Sequence, residues 1–482
     1  MRRTFLLYIL LSAVVLVGCD DYDSWTTSPS AVLSMSEEEM NFSSVIAGQG
    51  SPTQTLMVRN RNSAGVRISR VELAQGADSP FRVNVDGQYL YGGVGKDFEV
   101  RKGDSIYVRI EVTVPEMDSD EAVHYEDVLS FTLESGVVQQ VRLLADGVDV
   151  VVLKDVRIET DMTLSSARPY LIYDSLVVAE GATLTVPAGV TLMFHDDAPL
   201  RVHGRIVAEG TLEEPVVFRC DRLDNMFYYL PYDRLPGRWM GIDLLEESVG
   251  NRFVQCDIHG GNYGVRCEAK ELAEESVEPM LTMEDCTVHD VSGDALYLKN
   301  CMTRLSGTEI YNASGCCVRI LGGDHRLVHC TVAQFFYSND ALYIANIDGN
   351  AYLHLRRCDF VNCVVTGNAE DVVMGDLTET TDNPAQYLFS HCLLRTVVGE
   401  GNERFQDILL DDASDLVGKK HFMLVDMHDR LFDLMPVAES PIRGMADPSV
   451  AAQYPFDRRG RSRLSDGAPD TGALEGVTED TP

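Results

Sequence analysis

The sequence predicts a mainly β chain in which an antiparallel β-sandwich precedes a parallel β solenoid. Short runs within residues 31–148 alternate apolar and polar residues and are broken by Gly, Asn, Asp and Pro, the pattern of half-buried strands joined by turns. From residue 149 onward two motifs recur together, which marks stacked repeats. At 45% hydrophobic and 24% charged over 482 residues, the chain can bury such cores. Apolar positions recur at a spacing of two, and that excludes a helical solenoid.

Arg2 and Arg3 precede an apolar stretch, Phe5 to Val17, too short to span a bilayer comfortably and of the length of a signal peptide. Leu16-Val17-Gly18-Cys19 resembles the lipobox of bacterial lipoproteins. The resemblance implies that residues 1–18 are removed and that lipid on Cys19 makes the membrane a partner. The run Asp20, Asp21, Tyr22, Asp23 resembles the surface-export signal of lipoproteins in the Bacteroidetes, implying an outer-membrane anchor facing the cell surface. The same run also reads as the solvated start of a linker, residues 19–30.

Residues 31–148 carry strands at Thr55–Arg59, Val66–Ile68, Ser105–Val112 and Val128–Leu133. About seven short strands in roughly a hundred residues is the signature of an Ig-like sandwich. Asn41-Phe42, Val58-Arg59-Asn60, the segment Ser79 to Val83 and Lys102-Gly103-Asp104-Ser105 resemble the Ig-like domains related to the ASPM–SPD-2–Hydin group. Nothing in this part has a catalytic pattern, so a spacer or adhesion module is expected.

Residues 149–478 are expected to form the solenoid with a C-terminal cap. Leu176-Val177-Val178 matches Leu200-Arg201-Val202 one coil later, and Gly189 to Leu192 recurs as Pro215 to Phe218. Further on, apolar-x-x-Cys/Thr-x-apolar centres on Cys256, Cys286, Thr308, Cys330, Cys358 and Cys392, at intervals of 30, 22, 22, 28 and 34 residues. A second motif accompanies four of these: Gly264 to Cys267, Ala295 to Leu298, Cys317 to Ile320 and Ala341 to Ile344. Each coil leaves an apolar face that only its neighbours can bury. The central residues should therefore form one inward column of small, soft thiols, reduced and structural.

Gly181 to Val186, Ala208 to Thr211 and Gly237-Arg238-Trp239-Met240-Gly241-Ile242 resemble elements of bacterial right-handed parallel β-helix proteins of the pectate-lyase-like kind. The C-terminal Phe456 to Arg463 and Pro469 to Glu475 resemble the ending of many surface β-helix proteins. Arg463, Asp470 and Glu475 are expected to form a salt-bridged cap over the last coil.

Chemistry is less legible. Asp+Glu total 75 against 40 Lys+Arg, a formal charge of −35 at pH 7, which excludes general nucleic-acid binding. The ordered carboxylate elements of polygalacturonase-like hydrolases are missing: Asn346-Ile347-Asp348 has no sequel, and Asp196-Asp197 and Asp411-Asp412 read as solvated turns. Asp257, Glu309 and Asp359 share an outward position, but alternate coils place them roughly 10 Å apart, too far to share a calcium ion. His259, His289, His325, His329 and His354 fall in different registers, and no metal or cofactor is expected.

The outward residue of the second motif runs Arg266, Tyr297, Arg319, Tyr343. Aromatic faces stack on sugar rings, and Arg holds carboxylate or sulfate groups, so this strip suits a glycan. It equally suits a ladder of cation–π pairs that stabilises the sheet. Tyr228 and Tyr229, in the loop ahead of Trp239, offer a second recognition lip, with Trp239 itself as a further candidate ligand-binding aromatic. The expected function is a surface lipoprotein whose β-helix binds polysaccharide or a surface partner. The rival is a polysaccharide lyase or glycoside hydrolase acting on acidic glycans, and a purely structural surface-layer component is a third reading.

Overall fold

The computed structural model describes residues 24–272, 277–337, 339–378, 384–398, 401–411 and 418–477. Cys19 and the segment before it lie outside these residues. The chain divides into two compact units, the break falling between Val148 and Asp149. Among the described residues no helix is long and apolar enough to cross a membrane.

The first unit is a sandwich of two five-stranded sheets. One contains Ser34–Met35, Gln54–Arg59, Ser105–Val112, Phe81–Val85 and Gln88–Tyr89; the other contains Glu39–Ile46, Val138–Val148, Val123–Leu133, Val66–Leu73 and Val94–Val100. All neighbours are antiparallel except Val138–Val148 beside Glu39–Ile46. Strict alternation puts Ile106, Val108, Ile110 and Val112 into the core while Tyr107, Arg109 and Glu111 face out, as a period of two requires. Ten strands form where about seven are expected, because short edge strands such as Gln88–Tyr89 carry no alternation of their own.

The second unit is a parallel β-helix with three faces. The first face stacks Thr191–Phe194, Val216–Cys220, Cys256–His259, Thr287–Val291, Glu309–Ala313, Thr331–Gln334, Val364–Gly367 and Leu393–Leu394. The second runs from Pro199–Val202 through Gly241–Leu244, Val265–Glu268, Leu296–Lys299, Val318–Leu321 and Leu342–Ala345 to Val373–Asp376. The third runs from Thr183–Pro187 through Asn251–Val254, Leu281–Glu284, Met302–Ser306, Gly323–Val328 and Leu355–Val361 to Phe405–Gln406. Every pairing between coils is parallel, so backbone groups are satisfied from coil to coil.

The corner between the third and first faces turns on one residue with positive φ: Gln255, Asp285, Gly307, His329, Asn362, His391 and Asp407. Left-handed backbone favours Gly, Asn and Asp, and those types recur here. The residue after the corner points inward. Cys256, Cys286, Cys330, Cys363 and Cys392 occupy this place, with Thr308 among them, and each thiol lies 3.2–3.5 Å from the carbonyl two residues earlier. Thr308 Oγ1 donates to its equivalent carbonyl at 2.9 Å. The column thus contains Cys363 where the sequence motif points to Cys358. Cys358 pairs with His325 on the third face, because Leu355–Val361 is long enough to match the motif one step early. The eleven cysteines from Cys220 onward are free and buried.

The C-terminal residues form a strap along the outside of the first face rather than a lid on the last coil. Phe422, Leu434 and Ile442 pack on Tyr311, Phe335, Val364 and Leu393. Arg458 binds Glu309 at 2.5 Å, Ala473 N donates to Thr331 Oγ1, and Gly472 N donates to the Asn362 carbonyl. Inside the strap, buried Arg463 pairs with Glu475 at 3.0 Å, and Asp470 accepts from Gly444 N and Gly476 N.

Candidate functional site

Arg266, Tyr297, Arg319 and Tyr343 are direct partners across successive coils of the second face. Their side chains are already engaged. Arg319 forms a 2.6 Å ion pair with Asp294 and stacks 4.8 Å over the Tyr343 ring. Arg266 lies 3.2 Å from Asp243, the preceding residue of the same column. Tyr297 and Tyr343 are half-buried against Leu321 and Leu353. Most of the strip is therefore a stabilising ladder, and of its four residues Arg266 alone borders open space.

That space is a groove of about 600 Å³ beside the second face, lined by Arg266, Glu268, Lys270, Lys299, Asn300 and Asp348 among others. Its cations are paired: Lys299 with Glu268 at 3.3 Å and Asp348 at 2.9 Å, and Lys270 with Glu246 at 3.0 Å. Alternating donors and acceptors with no surplus positive charge suit hydroxyl groups better than carboxylates or sulfates. The two carboxylates beside Lys299 hold its ammonium above its ordinary pKa, which keeps it a donor.

The inserted loop resolves into two roles. Tyr228 projects into solvent, 92% exposed, from the hairpin formed by Asn225–Phe227 and Leu230–Pro231. Tyr229 stacks on His428 of the strap with ring centroids 4.3 Å apart. Trp239 offers no recognition surface: it is fully buried, stacked on Phe194 at 4.4 Å, and its Nε1 donates to the His259 carbonyl. The expectation of Trp239 as a ligand-binding aromatic is thus corrected: the apolar interior takes the ring.

A second groove, of about 460 Å³, lies between the third face and the strap, where Glu284, Asp285, Arg304 and Arg326 meet Tyr454 and Phe456. Burial pushes the Asp285 carboxyl up to about 6, helped by Glu284 and opposed by Arg463 and Arg458. Glu284 is held by both terminal nitrogens of Arg252. Asp359 belongs to this third face, where it follows Arg326, and so does not share the row of Asp257 and Glu309.

Sequence reasoning missed a titratable cluster on the first face. His259 and His289 are register partners, and His289 is followed by Tyr311. The three rings stack at 5.0 and 4.8 Å. Asp257 Oδ1 lies 3.0 Å from His259 Nδ1 and 3.1 Å from His289 Nε2. His289 Nδ1 faces Asp290 Oδ2 at 2.9 Å, and His259 Nε2 faces Asp233 Oδ2 at 3.6 Å. Burial works against charge on Asp257 and on both imidazoles, yet the imidazoles hold Asp257 well below the usual carboxylate range. Against the same burial, Asp257 and Asp290 push His289 up to about 10. The usable signal was the shared offset of His259 and His289 from Cys256 and Cys286.

Asp411 is another correction, since it is buried rather than a solvated turn. It accepts from Thr366 Oγ1 at 2.9 Å and pairs with Arg395 at 3.3 Å and His421 at 3.0 Å. Ser440 Oγ lies 3.3 Å from the other nitrogen of His421. This Ser–His–Asp row is closed off from solvent, and its carboxylate balances a buried guanidinium, so it ties the strap down. Asp412 lies outside the described residues.

No protein family and no curated protein matches the sequence. Among solved structures, the PapD-like domain 7 of human CEP192 is 13% identical, with a TM-score of 0.18, over 26% of this chain and 91% of that one. A family 123 glycoside hydrolase from Clostridium perfringens is 9% identical (TM-score 0.19) over 26% of each chain. A protein of unknown function from Porphyromonas gingivalis W83 is 18% identical (TM-score 0.18) over 27% of this chain and 58% of that one. Likeness at this level carries no argument about function.

Proposed function

We propose that this chain is a bacterial cell-surface lipoprotein, anchored in the outer membrane by lipid on Cys19, whose β-helix binds a glycan. The Ig-like unit acts as the spacer. The observation that carries the binding reading is the groove beside Arg266, about 600 Å³ with its acids and bases mutually paired. A neutral, hydroxyl-rich chain can replace water in such a groove hydrogen bond for hydrogen bond. A polyanion would have to displace Asp243, Glu268 and Asp348 from their cations.

The test is a glycan array probed with the wild-type chain and with Arg266→Ala and Tyr343→Ala. Binding to neutral glycans that drops tenfold or more in Arg266→Ala supports the reading. Because Tyr343 is stacked under Arg319 and lies outside the groove lining, its replacement should weaken binding less. Unchanged retention by Arg266→Ala overturns the groove as the binding site.

One observation favours the enzyme reading: Asp285, poised near pH 6 in the second groove with Arg326 close by. A carboxylic acid that keeps its proton up to about pH 6 can donate to a leaving oxygen in mildly acidic solution. New reducing or unsaturated ends from uronate-containing glycans, abolished by Asp285→Asn, would establish it, and their absence would exclude it.

A further inference from the structure

We propose that Asp257, His259 and His289 form a binding site for a divalent transition metal of the zinc class. The three ligand atoms, Asp257 Oδ1, His259 Nδ1 and His289 Nε2, lie within 4.8 Å of one another. The carboxylate oxygen sits 3.0 and 3.1 Å from the two nitrogens, close to the separation of neighbouring ligands in a tetrahedral shell of ~2 Å bonds. Nitrogen and oxygen donors in this number suit zinc and its neighbours, and not calcium or magnesium, which need more oxygens.

The arrangement behind the ligands points the same way. A metal-bound imidazole donates its other N–H to a carboxylate, which fixes the tautomer and raises ligand basicity. His289 has that partner in Asp290 at 2.9 Å, and Asp233 faces the far nitrogen of His259 at 3.6 Å, an ion-pair contact rather than a hydrogen bond. Asp233 is itself held by Arg219 at 2.9 Å. A simple ion pair needs one carboxylate between two imidazoles; three carboxylates, two of them facing the far nitrogens, is the set a metal requires.

Parallel stacking builds the site. His259 and His289 occupy one position in successive coils, so their rings are held at a coil's spacing, and Tyr311 closes the stack below. The Asp257 side chain remains 38% exposed, which leaves an approach and a fourth coordination position for water. Binding displaces one proton from each imidazole to solvent, His259 keeping the proton on Nε2 and His289 that on Nδ1. The site would then lock the inserted loop carrying Asp233 to two coils of the first face.

The test titrates the untagged full chain, with its thiols kept reduced, with Zn²⁺ against a competing chromophoric indicator, and separately with Co²⁺ by visible absorption. One equivalent should bind, with cobalt d–d bands of a four-coordinate N/O site, and Asp290→Asn should weaken binding about 10- to 100-fold. His259→Gln/His289→Gln should abolish it. Should that double variant fail to fold, the cobalt spectrum of the wild-type chain still decides. The proposal is overturned by lack of saturable binding, by binding that survives the double substitution, or by a thiolate-to-cobalt charge-transfer band. An Asp290→Asn chain that binds as tightly as wild type overturns the role given to the carboxylates behind the ligands.

Discussion

Replacement of Cys330 tests whether the inward column is filled by small donors or merely by small volume. Its side chain is fully buried and its Sγ lies 3.5 Å from the Val328 carbonyl. Cys330→Ala removes one sulfur: about 0.8 kcal/mol of transfer energy, about 0.5 kcal/mol for a cavity of ~20 Å³, and a weak hydrogen bond. The expected loss is about 1–2 kcal/mol. Cys330→Thr should stay within about 1 kcal/mol of wild type, because Thr308 already fills the same position and bonds the equivalent carbonyl at 2.9 Å. Urea denaturation followed by Trp239 fluorescence in a Trp25→Phe background reads the β-helix alone, since the sequence holds two tryptophans. An Ala variant as stable as wild type would refute the reasoning, and so would a Thr variant that loses more than Ala.

Further expectations follow from the corners, the strap and its buried charges. Gly307 has φ +58, and a Cβ there would meet Asp285 Oδ1 at 2.0 Å, so Gly307→Ala should cost about 1–3 kcal/mol by urea denaturation and alter the Asp285 titration seen by NMR. Asp411→Asn removes a carboxylate charge that Arg395 and His421 share beneath the strap and should destabilise by about 1–3 kcal/mol, with proteolysis starting in the strap. Burial and Asp470 push Glu475 up to about 8 against the pull of Arg463, from an ordinary 4.5. Between those values the folded chain binds more protons than the unfolded one, so this group's stabilisation is full below about 4.5 and lost as pH rises through about 8. Melting temperatures measured from about pH 5 to about pH 9 should therefore fall, and Glu475→Gln should flatten the profile.

The architecture was readable because a solenoid writes each column into the sequence many times over. Leu176 against Leu200, Leu192 against Phe218 and the Arg266–Tyr343 row all pair as the motifs align them. The misplacement of Cys358 shows what was lacking. Every column residue follows a corner residue in left-handed conformation, and Asn362 before Cys363 fits that need whereas Arg357 before Cys358 does not. The His259–His289 pair was hidden for a related reason: loops inserted elsewhere in the coil vary the linear spacing while the register stays fixed. Trp239 and Asp411 depend on what closes over them, and no local pattern specifies that.

The strap also decides where a ligand can bind. A parallel β-helix presents three outer faces, and here the chain covers one with its own C-terminal residues from Phe422 to Gly472. Phe335, Val364 and Leu393 would otherwise form an exposed apolar stripe along the first face, an aggregation liability. The Arg458–Glu309 and Thr331–Ala473 contacts fix the strap in register with the coils, so it cannot slide away without breaking buried polar pairs. The proposed recognition is thereby left to the second and third faces, each of which has its own groove. The covered face keeps the His–Asp cluster in place, where a metal would act as a rivet between coils and inserted loop rather than as part of the glycan surface. Loss of metal should accordingly lower the melting temperature and leave glycan retention at saturating ligand unchanged. A chelated chain that loses glycan binding at temperatures where it remains folded would show that the two sites are coupled, and would break this division of labour between faces.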